Sequence, residues 1–494
     1  MEEAGGTYGR LSRANPAIGM LQALASRLSP RHISDVRKPE GVDVRAAKDE
    51  PLRRDIGFFG SAFLSFNGMV GAGIFALPGT LYDRFGAFSP FLFPLFGLLV
   101  LVVALPFARV ASRHPVSGGP VVYAAAFGPA AAFQAGWIYY VARATALAAN
   151  LTVLVTYLAV LWPPLGDGLP RAAIILIVCA LLVWINIVGV KRAVQLIDAL
   201  TLLKAAPLLF VAVMGLVVAG GTIEGPSGVP PLSDLEAAAL LILYAFIGFE
   251  NSVTPAGETA DPRRNIPRAL IATIVGTALL YFLVQLAYVA VMDPGAGGDA
   301  PMVALGTALM GPAGGLLLVA AAVFSLLGNI SGGLTGTSRT SYALGRDGLL
   351  PGWFGRVSAR YSTPANSIAF MGALIALLAL TGSFVWLAVV STLARMFVYS
   401  ISIASLAKPA AVIPAEAGTS EGPAEASRPE APASAGVTER PRATMWLMII
   451  PAVAVCAWAA AQTAWPSWRV LLVLVAAGTI LYLVARRTSR LSER

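Results

Sequence analysis

Long apolar runs separated by short charged loops constrain this chain more than any other feature. Charged residues are only 12% of the 494 positions, whereas 57% are hydrophobic, and a soluble domain carries about 25% charged residues. About twelve runs are long enough for a helix to cross a bilayer. The sequence therefore predicts an all-α polytopic membrane protein with about twelve transmembrane helices. The runs cover residues 56–81, 88–112, 130–161, 171–190, 196–220, 236–257, 267–292, 313–340, 365–382, 384–407, 443–463 and 468–485.

The loops between the runs alternate in charge, which predicts the orientation of the chain. Basic residues cluster in every second loop, and cytoplasmic loops of membrane proteins are enriched in Lys and Arg. We therefore expect a multi-pass protein of the cell membrane, inner or plasma, with both termini in the cytoplasm. The basic loops hold Arg109, Arg113, Lys191, Arg192, Arg263, Arg264, Arg268, Arg346, Arg356, Arg360, Arg486 and Arg487. The alternate loops hold Asp167, Glu224, Asp234, Asp293 and Asp299.

Three segments lie outside the spanning runs. Residues 1–54 and 488–494 are predicted to be cytoplasmic tails. Residues 408–442 consist largely of Pro, Ala, Glu and Ser, a composition that cannot bury a core, so a flexible cytoplasmic loop is expected there. The net charge of +9 is spread between apolar runs, so it indicates membrane orientation rather than nucleic-acid binding.

Few residues are suited to enzymatic chemistry. The only cysteines, Cys179 and Cys456, lie inside apolar runs, and the only histidines, His32 and His114, are far apart. No disulfide, metal site or cofactor is therefore expected, and a membrane enzyme such as an acyltransferase is disfavoured. No phosphate-binding G-x-x-x-x-G-K-[ST] motif is present, so nucleotide hydrolysis is not expected to supply energy.

The first apolar run contains Gly68, Gly71 and Gly73 near its centre. Each glycine costs a helix interior about 1 kcal/mol relative to alanine. Close helix packing is one explanation, because small residues at four-residue spacing let helices touch. The other is a break in the helix, which is tolerated in a membrane only where protein or a water-filled cavity satisfies the backbone.

The sixth run contains a second candidate break. Gly248, Glu250, Asn251 and Pro255 fall within a few residues of one another, a combination that makes a poor continuous helix. The first and sixth runs each open a set of five, which predicts a 5+5 inverted repeat of residues 55–220 and 234–407, with two further helices over 443–487. Such repeats place a binding site at their broken helices. Helix starts offer N–H groups to an anion and helix ends offer C=O groups to a cation, so a zwitterionic amino acid suits both.

Motifs in both halves carry a resemblance to a known family. They lie at residues 71–75, 246–250, 261–269 and 338–351. In this order they resemble the amino acid–polyamine–organocation superfamily of secondary transporters, over residues from about 56 to 487. The resemblance implies the leucine-transporter-like fold with two extra helices and α-amino acids or related amines as substrates.

The resemblance also implies a substrate site. The backbone N–H groups of Gly71, Ala72 and Gly73, with Ile74 beside them, are expected to hold the substrate carboxylate. Ala72 stands where the family often has serine, so one hydroxyl is missing. The substrate amino group is expected to meet the carbonyls of the sixth-helix break. Its predicted residues are Phe246, Ile247, Gly248 and Phe249.

Lys204 lies within the fifth run, where a buried ammonium is costly unless it is paired or deprotonated. Similar proton-coupled family members use a lysine here in place of a coupling ion, and a buried lysine can release and regain a proton. The alternative is a lysine whose stem extends to the cytoplasmic interface. Glu250 matches a family carboxylate associated with gating or proton sensing, with a structural salt bridge as the alternative. Tyr244 matches an aromatic gate, or is a core aromatic.

Arg143 is the most unusual residue of the third run. Alignment of its helix with the family places Ala142 and Arg143 beside the substrate side chain. Arg143 either selects an acidic or dipolar side chain or pairs permanently with Glu250. Gly333 stands where arginine-handling relatives have a large aromatic, which argues against a cationic substrate.

The expected function is secondary active transport of amino acids by alternating access, with protons as the coupling partner. Exchange without net proton coupling is the alternative within this class. A channel is the rival from another class, and paired helix breaks favour the carrier.

Overall fold

The computed structural model describes residues 54–114, 118–189, 204–220, 225–226, 228–346, 348–408 and 443–492. Across these residues the chain is helical, and the only β-type pairing is an isolated bridge between Ile56 and Thr259. That bridge ties the segment before the first helix to the segment after the sixth-run break. The expected tail over 1–54, the loop over 408–442 and the start of the fifth run, 196–203, lie almost entirely outside the described residues.

The α-helices are numbered here in chain order. They are α1 (Phe58–Met69), α2 (Ala72–Phe85), α3 (Leu92–Arg113), α4 (Pro120–Ala124), α5 (Pro129–Leu161), α6 (Gly168–Val188), α7 (Ala205–Val218), α8 (Leu232–Tyr244), α9 (Pro262–Val291), α10 (Pro301–Met310), α11 (Pro312–Arg346), α12 (Ala365–Thr381), α13 (Phe384–Ala404), α14 (Ala443–Ala461) and α15 (Trp465–Ser492). Short 3₁₀ helices lie between them, among them Phe249–Ser252 and Ala256–Glu258 after α8.

The described helices are long and apolar enough for a membrane protein. Eight of the helical segments meet the length and hydropathy expected of a span, and four shorter apolar helices accompany them. Each predicted apolar run contains a helix, and α4 and α10 are additional short helices that the run pattern did not predict. The last helix continues to Ser492, past the predicted start of the C-terminal tail. The all-helical membrane architecture is confirmed, whereas twelve crossings and an inverted repeat remain predictions.

Long helices surround the two interrupted runs. Helix α9 packs against α1, α3 and α7, and the central helix α5 packs against α11 and α13. The end of α1 contacts the 3₁₀ helix Phe249–Ser252, and α8 contacts α2 and α13. The interruptions therefore lie inside the helix bundle, where neighbouring side chains can satisfy their backbone groups.

Candidate functional site at the helix breaks

The first apolar run is two helices, not one. Helix α1 ends at Met69, Val70 and Gly71 leave helical geometry, and α2 starts at Ala72. In the sixth run α8 ends at Tyr244, and turns and 3₁₀ helices follow as far as Glu258. Both runs are broken where their glycines predicted a break.

The two breaks touch through glycine backbone. Gly248 has φ +118°, and a Cβ built on it would overlap the backbone of Gly68. Ser65 Oγ donates a hydrogen bond to the carbonyl of Phe249 at 2.7 Å. A residue with a side chain could not occupy position 248 without moving α1, because positive φ and the close contact both require glycine.

Lys204 satisfies the carbonyls that α1 leaves open at its end. Its Nζ lies 2.7 Å from the Val70 carbonyl oxygen, 2.9 Å from the Asn67 carbonyl oxygen and 2.8 Å from Asn67 Oδ1. The residue is only 2% exposed, so it does not extend to the interface. Tyr281 adds a fourth contact, because its hydroxyl donates to the Met69 carbonyl at 2.9 Å. The last carbonyls of a helix need such partners when they are buried.

A chain of three asparagines links Lys204 to the start of α2. The N–H of Ala72 donates to Asn150 Oδ1 at 2.8 Å, and Asn150 Nδ2 donates to Asn329 Oδ1 at 2.9 Å. Asn329 Nδ2 donates in turn to the Asn67 carbonyl at 2.9 Å. Two of the N–H groups expected to hold a substrate carboxylate are therefore already paired. The N–H of Ala72 donates to the Asn150 amide oxygen, and the N–H of Gly71 donates to the Met69 carbonyl at 3.0 Å.

A small cavity lies between the two breaks. Its volume is about 20 Å³, which is room for about one water molecule. The cavity is therefore too small for an amino acid, and binding one requires the walls to move apart. Of the predicted residues, those that line it are Gly71, Ala72, Gly73, Arg143, Tyr244, Ile247 and Gly248.

Other predicted binding residues lie behind this lining. The Phe246 ring packs against Phe93 and Tyr281, and the Phe249 carbonyl is taken by Ser65. The backbone N–H groups of 245–247 donate to the carbonyls of 242–244. Within the described chain, no backbone N–H donates to the carbonyl of Phe246 or Ile247, so these two carbonyls are available to a ligand.

The remaining predicted residues also pack outside the cavity lining. Gly333 is pressed against the side chain of Leu147, and Ile74 is fully buried. The Ala142 carbonyl accepts hydrogen bonds from the tenth-run helix α13, at 2.8 Å from Ser391 Oγ and 3.0 Å from Arg395 Nη1.

Glu250 forms a buried ion pair with Arg395 of α13. Arg395 Nε lies 3.1 Å from Glu250 Oε1, and the side chains are 0% and 1% exposed. Tyr399 Oη donates to Glu250 Oε2 at 2.8 Å, and the Gly248 N–H donates to the same oxygen at 3.0 Å. A buried charge pair costs desolvation on both sides, which these additional hydrogen bonds offset.

Arg143 does not pair with Glu250, so the hypothesis of a permanent Arg143–Glu250 pair is wrong. Arg143 Nη1 donates to Asn251 Oδ1 at 2.7 Å, and its Nε donates to Thr337 Oγ1 at 3.3 Å. Both partners are neutral. Arg395 takes the carboxylate because it approaches Glu250 from α13, whereas Arg143 reaches the neighbouring residue Asn251.

Tyr244 closes one wall of the cavity at the end of α8. Its ring meets Phe384 edge to face, with centroids 5.7 Å apart, and its hydroxyl lies 3.5 Å from the Ala146 carbonyl. Tyr244 therefore contacts α13 through its ring and also forms part of the cavity wall.

Sequence reasoning missed Arg395, Asn150 and Asn329. A lone arginine in the middle of the run 384–407 is a signal that could have identified Arg395, since an intramembrane charge is rarely without function. A larger cavity of about 750 Å³ lies elsewhere, near Asp167, Arg171 and Asp299. None of the predicted site residues lines it, so the small cavity is the better candidate.

Comparison with known proteins agrees with this geometry. A protein-family model described as amino acid permease matches residues 56–467. An uncharacterized transporter of Mycobacterium tuberculosis is 30% identical over 70% of this chain and 77% of its own. A branched-chain amino acid permease of Bacillus subtilis is 28% identical over 69% of this chain and 78% of its own. A cadaverine/lysine antiporter of Escherichia coli is 27% identical over 66% of this chain and 74% of its own.

These relatives are transporters rather than enzymes, and the family match spans both helix breaks and every cavity-lining residue named above. The chain belongs to the amino acid permease family of the amino acid–polyamine–organocation superfamily.

Proposed function

We propose that this protein is a secondary active transporter that moves amino acids across the cell membrane by alternating access. The observation that carries the proposal is the small cavity between the two helix breaks, with the start of α2 on one side and the end of α8 on the other. A helix start attracts a carboxylate and free carbonyls attract an ammonium. A zwitterion fits between them.

The substrate carboxylate is proposed to bind at Gly71, Ala72 and Gly73. Asn150 Oδ1 accepts a hydrogen bond from the Ala72 N–H and the Met69 carbonyl accepts one from the Gly71 N–H, so the carboxylate replaces both partners when it binds. The amino group is proposed to bind the carbonyl of Ile247, which lines the cavity, and the adjacent carbonyl of Phe246 once the walls move apart. The carbonyl of Phe249 is not included, because Ser65 already donates to it.

The broken runs are proposed to be equivalent helices of an inverted repeat, residues 55–220 and 234–407, with the termini in the cytoplasm. In such repeats one bundle rocks against the other around a fixed site. Because Gly68 and Gly248 are in contact, the two breaks are proposed to move together. A cavity with space for about one water molecule fits the occluded stage of this cycle.

Proton coupling is proposed to act through Lys204. Its three hydrogen bonds hold the end of α1, and loss of the proton removes both the charge and a donor. Protonation of the lysine is therefore linked to the position of α1, and through it to the substrate site. This linkage supports symport of a proton and an amino acid.

Exchange of one amino acid or amine for another is the second candidate. It is favoured by relatives that are named antiporters, among them the Escherichia coli relative. An exchanger does not need a titrating residue in the fifth apolar run, whereas Lys204 of that run is buried. Symport is therefore the mechanism proposed first.

The test is uptake of a panel of radiolabelled amino acids into proteoliposomes, with and without an inward proton gradient. Symport predicts saturable accumulation that requires the gradient and disappears with a protonophore. Uptake only into vesicles preloaded with amino acid indicates exchange. If no amino acid enters faster than into protein-free vesicles, the transport proposal is wrong.

A further inference from the structure

Arg395, which lines the cavity, has one guanidinium nitrogen without a hydrogen-bond partner among the described residues. Its Nε bonds Glu250 and its Nη1 bonds the carbonyl of Ala142 and Ser391 Oγ. The remaining nitrogen, Nη2, is buried and has no hydrogen-bond partner, and Arg395 is 0% exposed and lines the cavity. An unpaired buried donor is unfavourable, so a native structure that retains one needs an explanation.

Arg143 adds a second guanidinium to the same cavity. Its described partners, Asn251 and Thr337, are uncharged, so its positive charge is not neutralised by a carboxylate in the described chain. Arginine presents donors in a planar fork that matches a carboxylate. The two arginines therefore offer donors to an anion from two helices, α5 and α13.

The charges around the cavity do not balance. Arg143 and Arg395 contribute two positive charges, and the nearest carboxylate, Glu250, is already paired with Arg395. The start of α2 adds partial positive charge. A zwitterion with a neutral side chain has no net charge and leaves this excess in place. A second carboxylate on the substrate would remove it.

We propose that the substrate is an acidic amino acid, whose side-chain carboxylate accepts hydrogen bonds from Arg395 Nη2 and Arg143. This inference rests on the transport function proposed above and specifies the substrate of the same cavity. Cationic substrates are rejected because both guanidiniums repel them. The expected substrate thus differs in charge from those named for the cadaverine/lysine antiporter of Escherichia coli, although the two sequences are related.

The first test compares isosteres that differ only in charge. Purified protein in proteoliposomes takes up radiolabelled L-glutamate in competition with unlabelled L-glutamate, L-aspartate, L-glutamine, L-asparagine and L-arginine. Glutamate and aspartate are expected to compete at concentrations at least about tenfold lower than glutamine and asparagine. A difference of about tenfold in affinity is what one hydrogen bond to a charged group contributes. Arginine is expected not to compete.

The second test uses variants. Arg143→Gln is expected to raise KM for glutamate about tenfold or more and to bring the glutamate-to-glutamine selectivity ratio towards one. Arg395→Lys keeps a positive charge beside Glu250 and removes Nη2, and is expected to lower the same ratio. Arg469→Gln makes the same charge change at an exposed position of α15 and is expected to leave the ratio unchanged.

The selectivity ratio separates recognition from folding, because a loss of folded protein lowers uptake of glutamate and glutamine equally. If Arg395→Lys does not fold, wild-type competition and Arg143→Gln still decide the matter. The inference is wrong if glutamine or arginine competes as well as glutamate, or if Arg143→Gln leaves the ratio unchanged. If another amino acid is transported and glutamate is not, transport stands and the acidic substrate fails. If no amino acid is transported, the proposed function itself has failed.

Discussion

The side-chain oxygen of Asn150 lies 2.8 Å from the backbone nitrogen of Ala72 and caps the start of α2 from a neighbouring helix. An amide oxygen here imitates the carboxylate oxygen that the helix start is suited to bind. The same Asn150 donates to Asn329, which contacts the end of α1. A side chain on the cavity wall thus occupies the place proposed for the substrate carboxylate.

Replacement of this cap is expected to favour substrate binding. Asn150→Ala removes a competitor of the carboxylate and a cap of about 1 kcal/mol, so KM should fall about fivefold while the melting temperature falls slightly. Transport kinetics and a thermal melt measure the two effects. Asn186→Ala is the matched control, because Asn186 is also buried but bonds Leu182 and Ser331, away from the cavity. A KM that rises in Asn150→Ala would instead make Asn150 a ligand of the substrate.

Removal of the lysine ammonium is expected to separate proton coupling from exchange. Lys204→Met keeps a long apolar stem but removes the charged donor that the carbonyls of Asn67 and Val70 share. Accumulation driven by a proton gradient should be lost, whereas exchange of labelled for unlabelled substrate should persist at a reduced rate. Vesicle uptake and counterflow measure the two activities.

The matched control is Lys408→Met, since Lys408 is exposed at the end of the segment after α13. It should retain both activities. Gradient-driven accumulation in Lys204→Met at the wild-type level would show that another group carries the proton.

The buried ion pair is expected to behave as a unit. Glu250→Gln leaves Arg395 charged and unpaired, and a broken buried pair costs about 3–5 kcal/mol. The double variant Glu250→Gln/Arg395→Met removes both charges and should recover part of that loss. Denaturation midpoints of the two single variants and the double variant form a cycle that measures the coupling. Additive effects, with no recovery, would mean that the pair contributes nothing beyond its separate residues.

The sequence contained enough information to locate both helix breaks, because glycine and proline act through local backbone geometry. Gly71 and Gly248 lie at the observed breaks for that reason. The sequence did not indicate which groups the polar side chains contact. Asn150 and Asn329 are 179 positions apart, and an asparagine in an apolar run does not by itself indicate what it meets. The pairing of Glu250 with Arg395 depends in the same way on how α13 packs against the second break.

Some predicted site residues were displaced from the cavity for a related reason. Phe246 and Phe249 belong to the break in sequence, yet the turns after α8 direct their rings towards Tyr281 and Tyr399. A break can be located from composition, but which of its residues face the substrate depends on turn geometry. Gly333 similarly packs on Leu147 instead of lining the cavity.

The glycine contact between the breaks gives the sharpest test of this architecture. In Gly248→Ala the new Cβ meets the Gly68 backbone, at a position where φ is +118°, so both strain and overlap oppose it. The variant should lose transport and melt at a clearly lower temperature. Gly276→Ala is the control, because Gly276 lies within α9 and a Cβ there meets no atom within 4 Å. That change should be neutral or stabilise the protein by up to about 1 kcal/mol. If Gly248→Ala has the wild-type melting temperature and uptake, the two breaks do not pack as described, and the proposed site between them is wrong.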